Sequence, residues 1–532
     1  MKNKLFLFTL LIASTLGLKA QFGEYSIQLK PKTFDGLPGL QAFAWGKLDG
    51  KWIIIGGRTD GLHRRQPFAS FDQAGNNTNI YLVNSKNEIV KSSSVNLLNA
   101  ELKEQLQSTN MQFYQSGKYL IVIGGYGFST TAGTHITFPN VCVINLETLI
   151  EKIESSESIS SAFIQIIDQR FAVTGGHLGM INNKFYLVGG NRFDGRYNPM
   201  GGASYTQSYT NAIKKFKLEI INNTINISNF ESITDSLNLH RRDYNLTPNK
   251  NNSGEYYYTL WSGVFQYNQN LPWLNSIDVR ENSHEVNNGF NQYLNQYHTA
   301  YIPIFNKEEN SMSTIFFGGI SQYYYDNNGN IIKNDSVPFV KTISYIKRDS
   351  TGNLKEYALP YLQMPGYLGS ASEIIPSENE LEDVQGIFDF EKFEKDSVFA
   401  GTLVGGISST APNIFFTNTG TQSSASATCY EVWFVKNKIV NSVAIKDPDS
   451  WKINTYPNPF KNSITLNISN INPSNYIEVS IHDLQGKHIE DLYEGKVKPE
   501  IVLQPKNSLE PGMYFLLIQS GQINYTVKIL KQ

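Results

Sequence analysis

A chain of 532 residues with a formal net charge of -2 and no Lys/Arg block lacks the electrostatic footprint that tracks a phosphate backbone, which argues against a nucleic-acid partner. The length exceeds one ordinary core, and 30 Tyr and 31 Phe with little helical periodicity point to an all-β protein with a further domain. The only cysteines, Cys142 and Cys429, are too far apart for a disulfide framework, and neither has the neighbouring His or Cys that a metal or reactive-thiol site needs.

In chain order, residues 1–20 read as a signal peptide: Lys2 and Lys4 precede an apolar run from Leu5 to Leu16, and Leu18-Lys19-Ala20 ends on a small residue. No cysteine follows directly, so lipid anchoring is not indicated, and no later run is long and apolar enough to span a bilayer. Tyr25-Ser26-Ile27-Gln28-Leu29 then reads as a strand. It is placed to pair with the end of a repeat array and close a ring, with Lys438 to Ile445 as the competing strand.

Six β-type runs each end in a small-residue pair: Gly56-Gly57, Gly124-Gly125, Gly189-Gly190, Ser262-Gly263, Gly318-Gly319 and Gly405-Gly406. An earlier run supplies a first strand to each unit, such as Leu40 to Trp45 or Ala371 to Ile375. A later run supplies a third, such as Asn140 to Ile144 or Tyr430 to Phe434, and a polar fourth strand follows an Asn/Gly turn. Four antiparallel strands repeated at this spacing predict the blades of a β-propeller, with glycines where backbones approach closely.

The Gly-Gly pairs and the aromatic or β-branched third strands resemble the kelch family of β-propellers over roughly residues 24–437, although blade four has Ser262-Gly263 and the Tyr/Trp pattern is only partly kept. The resemblance implies the fold and leaves the activity open, since propellers host many functions. Kelch-like proteins include copper radical oxidases and sialic acid mutarotases. The oxidase's copper set needs a crosslinked Cys, and neither Cys142 nor Cys429 has a matching context; a mutarotase needs acid–base groups near the channel, where His177, His298, Arg241, Arg242 and Glu373 are the nearest.

After Asp447-Pro448-Asp449-Ser450 the pattern becomes a short alternating β-rich unit. Tyr456-Pro457-Asn458-Pro459, the Asp-Leu-Gln-Gly-Lys turn with Gly486, the Gly512-x-Tyr514 strand and a basic final strand with Lys528 and Lys531 resemble the type A C-terminal sorting domain of the type IX secretion system. The resemblance implies passage across the inner membrane, recognition at the outer membrane, and cleavage with release or surface attachment. The expected organisation is therefore a signal peptide (1–20), a six-bladed kelch-like propeller (21–440), a linker (441–450) and a sorting β-sandwich (451–532).

Ligands of propellers gather where loops converge around the axis. The loop after the first Gly-Gly pair carries Arg58, Asp60, His63, Arg64 and Arg65, and the third carries Arg192, Asp194 and Arg196. Such guanidinium forks suit an anionic glycan or acidic peptide, or they form ion pairs between loops. With His177 and His298 these are the candidate ligand-binding residues. No metal-ligand spacing, nucleophile motif or cofactor fingerprint appears, so no metal, cofactor or catalytic residue is assigned. The expected function is an exported glycan- or protein-binding propeller, with a carbohydrate-active enzyme and a structural surface component as alternatives, and the secretion machinery as partner.

Overall fold

The computed structural model describes residues 25–251, 253–326, 330–378, 381–383, 385–436, 443–444, 452–469, 475–483, 487–520 and 523–532. The predicted signal peptide, most of the expected linker and Gly486 lie outside these. The chain divides into two compact units, Met1–Ile445 and Lys446–Gln532.

In the first unit, six sheets follow one another, each built on antiparallel strands that lie side by side in chain order. Blade one comprises Ala44–Leu48, Lys51–Ile55, Asn79–Asn84 and Ile89–Ser94. Blades two to five open with Gln112–Ser116, His177–Ile181, Asn245–Lys250 and Tyr301–Asn306 as inner strands. Blade six is built from Tyr367–Pro376, Ser397–Ser409 and Cys429–Lys436, and its outer strand is Tyr25–Lys32 from the chain's start. Tyr25 pairs with Lys436 and Lys32 with Cys429, so the N-terminal strand closes the ring. The competing segment does something else: Val443 and Ala444 pair with Ala358 and Tyr357 at the outer edge of blade five.

Alternation along the strands places a core between each pair of neighbouring blades. In blade one, Ile53 and Ile55 pack with Leu120, Val122 and Cys142 of blade two, while Trp52 and Ile54 pack with Ile375, Val404 and Cys429 of blade six. Both cysteines are thus buried apolar filling in different blades, and burial pushes the Cys429 thiol up to about 12.

The small-residue pairs have a specific inter-blade role. The second glycine's N–H donates to a carbonyl of the next blade: Gly57 to Ser108 (2.8 Å), Gly125 to Val173 (3.0 Å), Gly190 to Arg241 (2.8 Å), Gly319 to Leu368 (2.8 Å) and Gly406 to Leu40 (2.8 Å). A Cβ on the first glycine would run into that carbonyl, at 2.0 Å for Gly124 on Val173 O and 2.2 Å for Gly405 on Leu40 O. Gly124→Ala is therefore expected to cost about 2–4 kcal/mol in urea denaturation, because it adds this clash to a left-handed φ. Gly133→Ala, at a similar φ of +68° but with nothing within 4 Å, should lose only about 1 kcal/mol.

A second set of backbone bonds runs around the axis through five of the six blade junctions. Ala42, Asn110, Gly175, Asp243, His298 and Ala371, one from each blade, all have positive φ just before or within their inner strands. Their N–H groups donate blade to blade: Ala42 to Ala371, Asn110 to Ala42, Gly175 to Asn110, Asp243 to Gly175 and Ala371 to His298. This collar explains why most inner strands begin later than their sequence suggests: blade one starts at Ala44, because Ala42 turns the chain into the collar first.

The second unit is a sandwich of a three-stranded sheet (Lys452–Tyr456, Ile464–Ser469, Glu500–Leu503) on a four-stranded one (Tyr476–His482, His488–Lys496, Gly512–Ser520, Ile523–Lys531). Ile464, Leu466, Ile468, Ile477, Val479, Ile481, Leu516 and Ile518 fill it. Its opening motif and its final strand are neighbours in space. The Asn458 amide donates to Lys528 O (3.1 Å), Asn458 Oδ1 accepts from the Leu530 N–H (2.8 Å), and the Phe460 N–H donates to Leu530 O (2.8 Å).

Candidate functional site

The inner strands enclose an axial cavity of about 550 Å3. Alternation turns one side chain in two toward the axis, so Trp45, Phe113, Leu246, Tyr301 and Glu373 line it from five different blades. Tyr258 reaches it from a second strand because Gly179 of blade three leaves room: a Cβ there would lie 2.6 Å from the tyrosine ring. The collar residues Asn110, Gly175, Asp243 and His298 border one end. The other end is lined by Glu382, Asp383, Gln385 and Phe388, from the segment joining the first two strands of blade six.

That segment is tied across the channel mouth. Phe388 and Asp389 pair in parallel with Ile304 and Phe305 of blade five. Lys47 donates to Glu382 at 2.5 Å, Tyr256 to Asp383 at 2.7 Å, and Tyr258 to Gln385 at 3.2 Å. The cationic and anionic groups at this end are therefore spent on one another or on hydroxyls.

Glu373 is the distinctive group. Its Oε2 accepts from Trp45 Nε1 at 3.3 Å, and burial, only partly opposed by that bond, raises its carboxyl to about 7. Because this lies above the ordinary 4.5, the folded state favours the neutral acid. The associated stability is fully present below about pH 4.5 and is lost as pH rises through about 7. Glu373→Gln should accordingly match wild type in chemical denaturation at pH 4 and be more stable by about 1–3 kcal/mol at pH 8. Equal stability of the two proteins at both pH values would show that the carboxyl ionises freely.

His177 and His298 are both brought to the channel. The His177 Nε2–H donates to Tyr244 O at 2.7 Å, the tautomer that a carbonyl partner requires, and burial with His298 nearby lowers this imidazole to about 4. Burial also lowers His298, whose backbone belongs to the collar. Both rings are neutral near pH 7.

The charged loops behave differently from a set of free guanidinium forks. Arg58 is 3% exposed and donates to Asp60 at 2.7 and 2.6 Å, to Asn76 Oδ1 at 3.0 Å and to Asp72 O at 2.9 Å. Arg192 pairs with Asp194 at 2.9 Å, and Arg196 donates to Ser70 O at 2.9 Å. Arg64 packs on Gly420. Arg241 is fully buried and binds Asn238 O, Ser262 O and Asn275. Blade-two strands Tyr126–Ser129 and Thr134–Thr137 and blade-three strands Asn191–Gly195 and Tyr205–Tyr209 form one small sheet, into which most of these loops are knitted. His63, of the loop candidates, lines a small cavity of about 90 Å3 with Phe71, Tyr197 and Arg242, which shares Asn110, Gly175 and Asp243 with the channel.

Among the sorting residues, Tyr456 donates to Glu500 at 2.6 Å and Tyr514 to Glu510 O at 2.9 Å, while Gly512 lies opposite Lys531 in the sheet. Among the described residues no three His, Cys, Asp or Glu side chains converge as metal ligands, and no helix is long and apolar enough to cross a membrane.

No curated protein matches the chain. Among solved structures, "Structure of YjhT" is 12% identical over 77% of this chain and 98% of that one, with a TM-score of 0.40. A copper-bound fungal alcohol oxidase of the AA5 family is 8% identical over 96% and 100%, with a TM-score of 0.37. Latent PorU from Porphyromonas gingivalis is 13% identical over 73% and 37%, with a TM-score of 0.14. The propeller assignment rests on the strand pairing and glycine geometry described above. Residues 454–532 match the family described as "Secretion system C-terminal sorting domain", so this chain is a β-propeller followed by a C-terminal sorting domain of a secretion system.

Proposed function

We propose that this exported propeller is a receptor for a small, uncharged, polyhydroxylated ligand of one or two sugar units, bound in the axial channel. The observation that carries this reading is the cavity of about 550 Å3 in which Trp45, Phe113, Tyr258 and Tyr301 surround a neutral-leaning carboxyl and two neutral imidazoles. Aromatic faces pack against sugar rings, and carboxyl and imidazole groups exchange hydrogen bonds with hydroxyls. An anionic ligand fits less well, because Lys47 is already paired with Glu382 and the Arg58 guanidinium is consumed by its own loop. The signal peptide and the sorting domain are removed during export in this reading, leaving the propeller released or attached at the cell surface.

A second reading, acid–base isomerisation of the bound sugar, is favoured by one feature: a carboxyl raised to about 7 is poised to give and take a proton near neutrality. Calorimetric titration with neutral mono- and disaccharides, followed by assay of any hit for turnover, separates the two. Binding without turnover fits the receptor. Turnover that Glu373→Gln abolishes while binding persists fits the enzyme, and no binding by the wild-type protein rejects both. For any hit, Trp45→Ala should weaken binding by about 1–2 kcal/mol.

A further inference from the structure

On the propeller face opposite the Gly-Gly pairs, turns of blades four and five enclose a separate cavity of about 370 Å3. Three cations line it: Lys250, Arg280 and Arg348. One carboxylate, Asp278, is shared between the two arginines. Its side chain is 3% exposed, and its Oδ1 accepts from Arg348 Nη2 at 2.7 Å and from Thr259 Oγ1 at 2.8 Å, while Arg280 approaches Oδ2 only to 3.8 Å.

Part of the donor capacity remains, although Arg348 also donates from Nη1 to Gly352 O at 3.4 Å. Arg348 is 12% exposed, and its buried Nε–H has no acceptor among the described residues. The Arg280 guanidinium lies over the buried Tyr257 ring at 4.2 Å, and both residues line the cavity. Lys250 Nζ sits over Tyr256 at 5.2 Å and Phe305 at 5.6 Å. Asp349, the carboxylate that lines the cavity, is engaged by its own turn, accepting from the Thr351 and Asn353 N–H groups at 2.9 and 3.0 Å, whereas Asp278 lies behind the lining. Three cations thus line the cavity with one carboxylate, Asp349, which its own turn occupies, and Tyr257 backs both guanidiniums.

We infer that this cavity binds a phosphate or sulfate group. Guanidinium forks and an ammonium match the spread oxygens of a tetrahedral oxyanion, and the volume leaves room for a sugar that carries it as an ester. The site is distinct from the axial channel and stands whether or not the channel binds sugar.

The test is calorimetric titration of the exported chain with inorganic phosphate, inorganic sulfate, N-acetylglucosamine 6-sulfate and unsulfated N-acetylglucosamine. The expected result is binding of at least one oxyanion probe, weakened about tenfold or more by Arg280→Ala and by Lys250→Ala, with unchanged melting temperature and no effect of Trp45→Ala. Binding of the sulfated sugar in preference to the unsulfated one and to the free ions identifies an ester ligand. Binding of the free ions alone identifies an inorganic one. The inference is overturned if no oxyanion probe binds the wild type, or if binding survives both substitutions undiminished.

Discussion

Deleting residues 454–532 is expected to stop the protein at the periplasm while leaving a folded propeller. The sorting domain is a compact unit with its own core around Leu466, Val479 and Leu516, and all six blades are complete within Tyr25 to Lys436. The propeller loses none of its blade strands in the truncation, whereas the export machinery loses the segment that belongs to the sorting family. Fractionation of the native host should find the truncated chain in the periplasm and only background amounts on the surface or in the medium. The purified fragment should keep its β-type circular dichroism and a cooperative melt. Normal surface levels of the truncated chain would remove the sorting role from this domain.

The second large effect is expected at the ring closure. Ile27 is 5% exposed, lies opposite Phe434 in the closing strand pair and belongs to the core shared by blades five and six. Ile27→Asp would place an unpaired carboxylate in that core, at a cost of about 4 kcal/mol or more. Gln28→Asp, one residue along on the exposed side, should stay within about 0.5 kcal/mol of wild type. Urea denaturation of both variants reads the difference. Comparable losses at the two positions would mean that the strand contributes pairing without side-chain burial.

How far such features could be read in advance depends on the residue type that carries them. Gly124-Gly125 and its equivalents were visible because close approach of two backbones leaves few alternatives to glycine. The collar performs an equally regular task with Ala42, Asn110, Gly175, Asp243, His298 and Ala371, and five residue types at six positions leave no pattern. His177, His298 and Glu373 were legible as channel groups because they stand in or just before inner strands. Trp45, Tyr258 and Tyr301 were hidden among the many aromatics that fill space between blades, and Tyr258 reaches the axis only through the gap at Gly179 of another blade. Glu382 and Gln385 gave no signal, since the segment that carries them breaks the repeat and meets the channel only through tertiary contacts. The Arg58 and Arg196 loops suggested a ligand grip because sequence shows charge without its partners. Asp60 and Ser70 O supply those partners.

The pairing of Tyr25 with Lys436 also orders events in time. Among the described strands, the earliest made pairs with one made only after the other five blades, so this pairing has to wait for their synthesis. Its partner strand ends shortly before the sorting family's match begins at residue 454. A chain whose export address has been made therefore already contains everything needed to seal the circle, so the fold couples the ticket for the outer membrane to the completeness of the cargo.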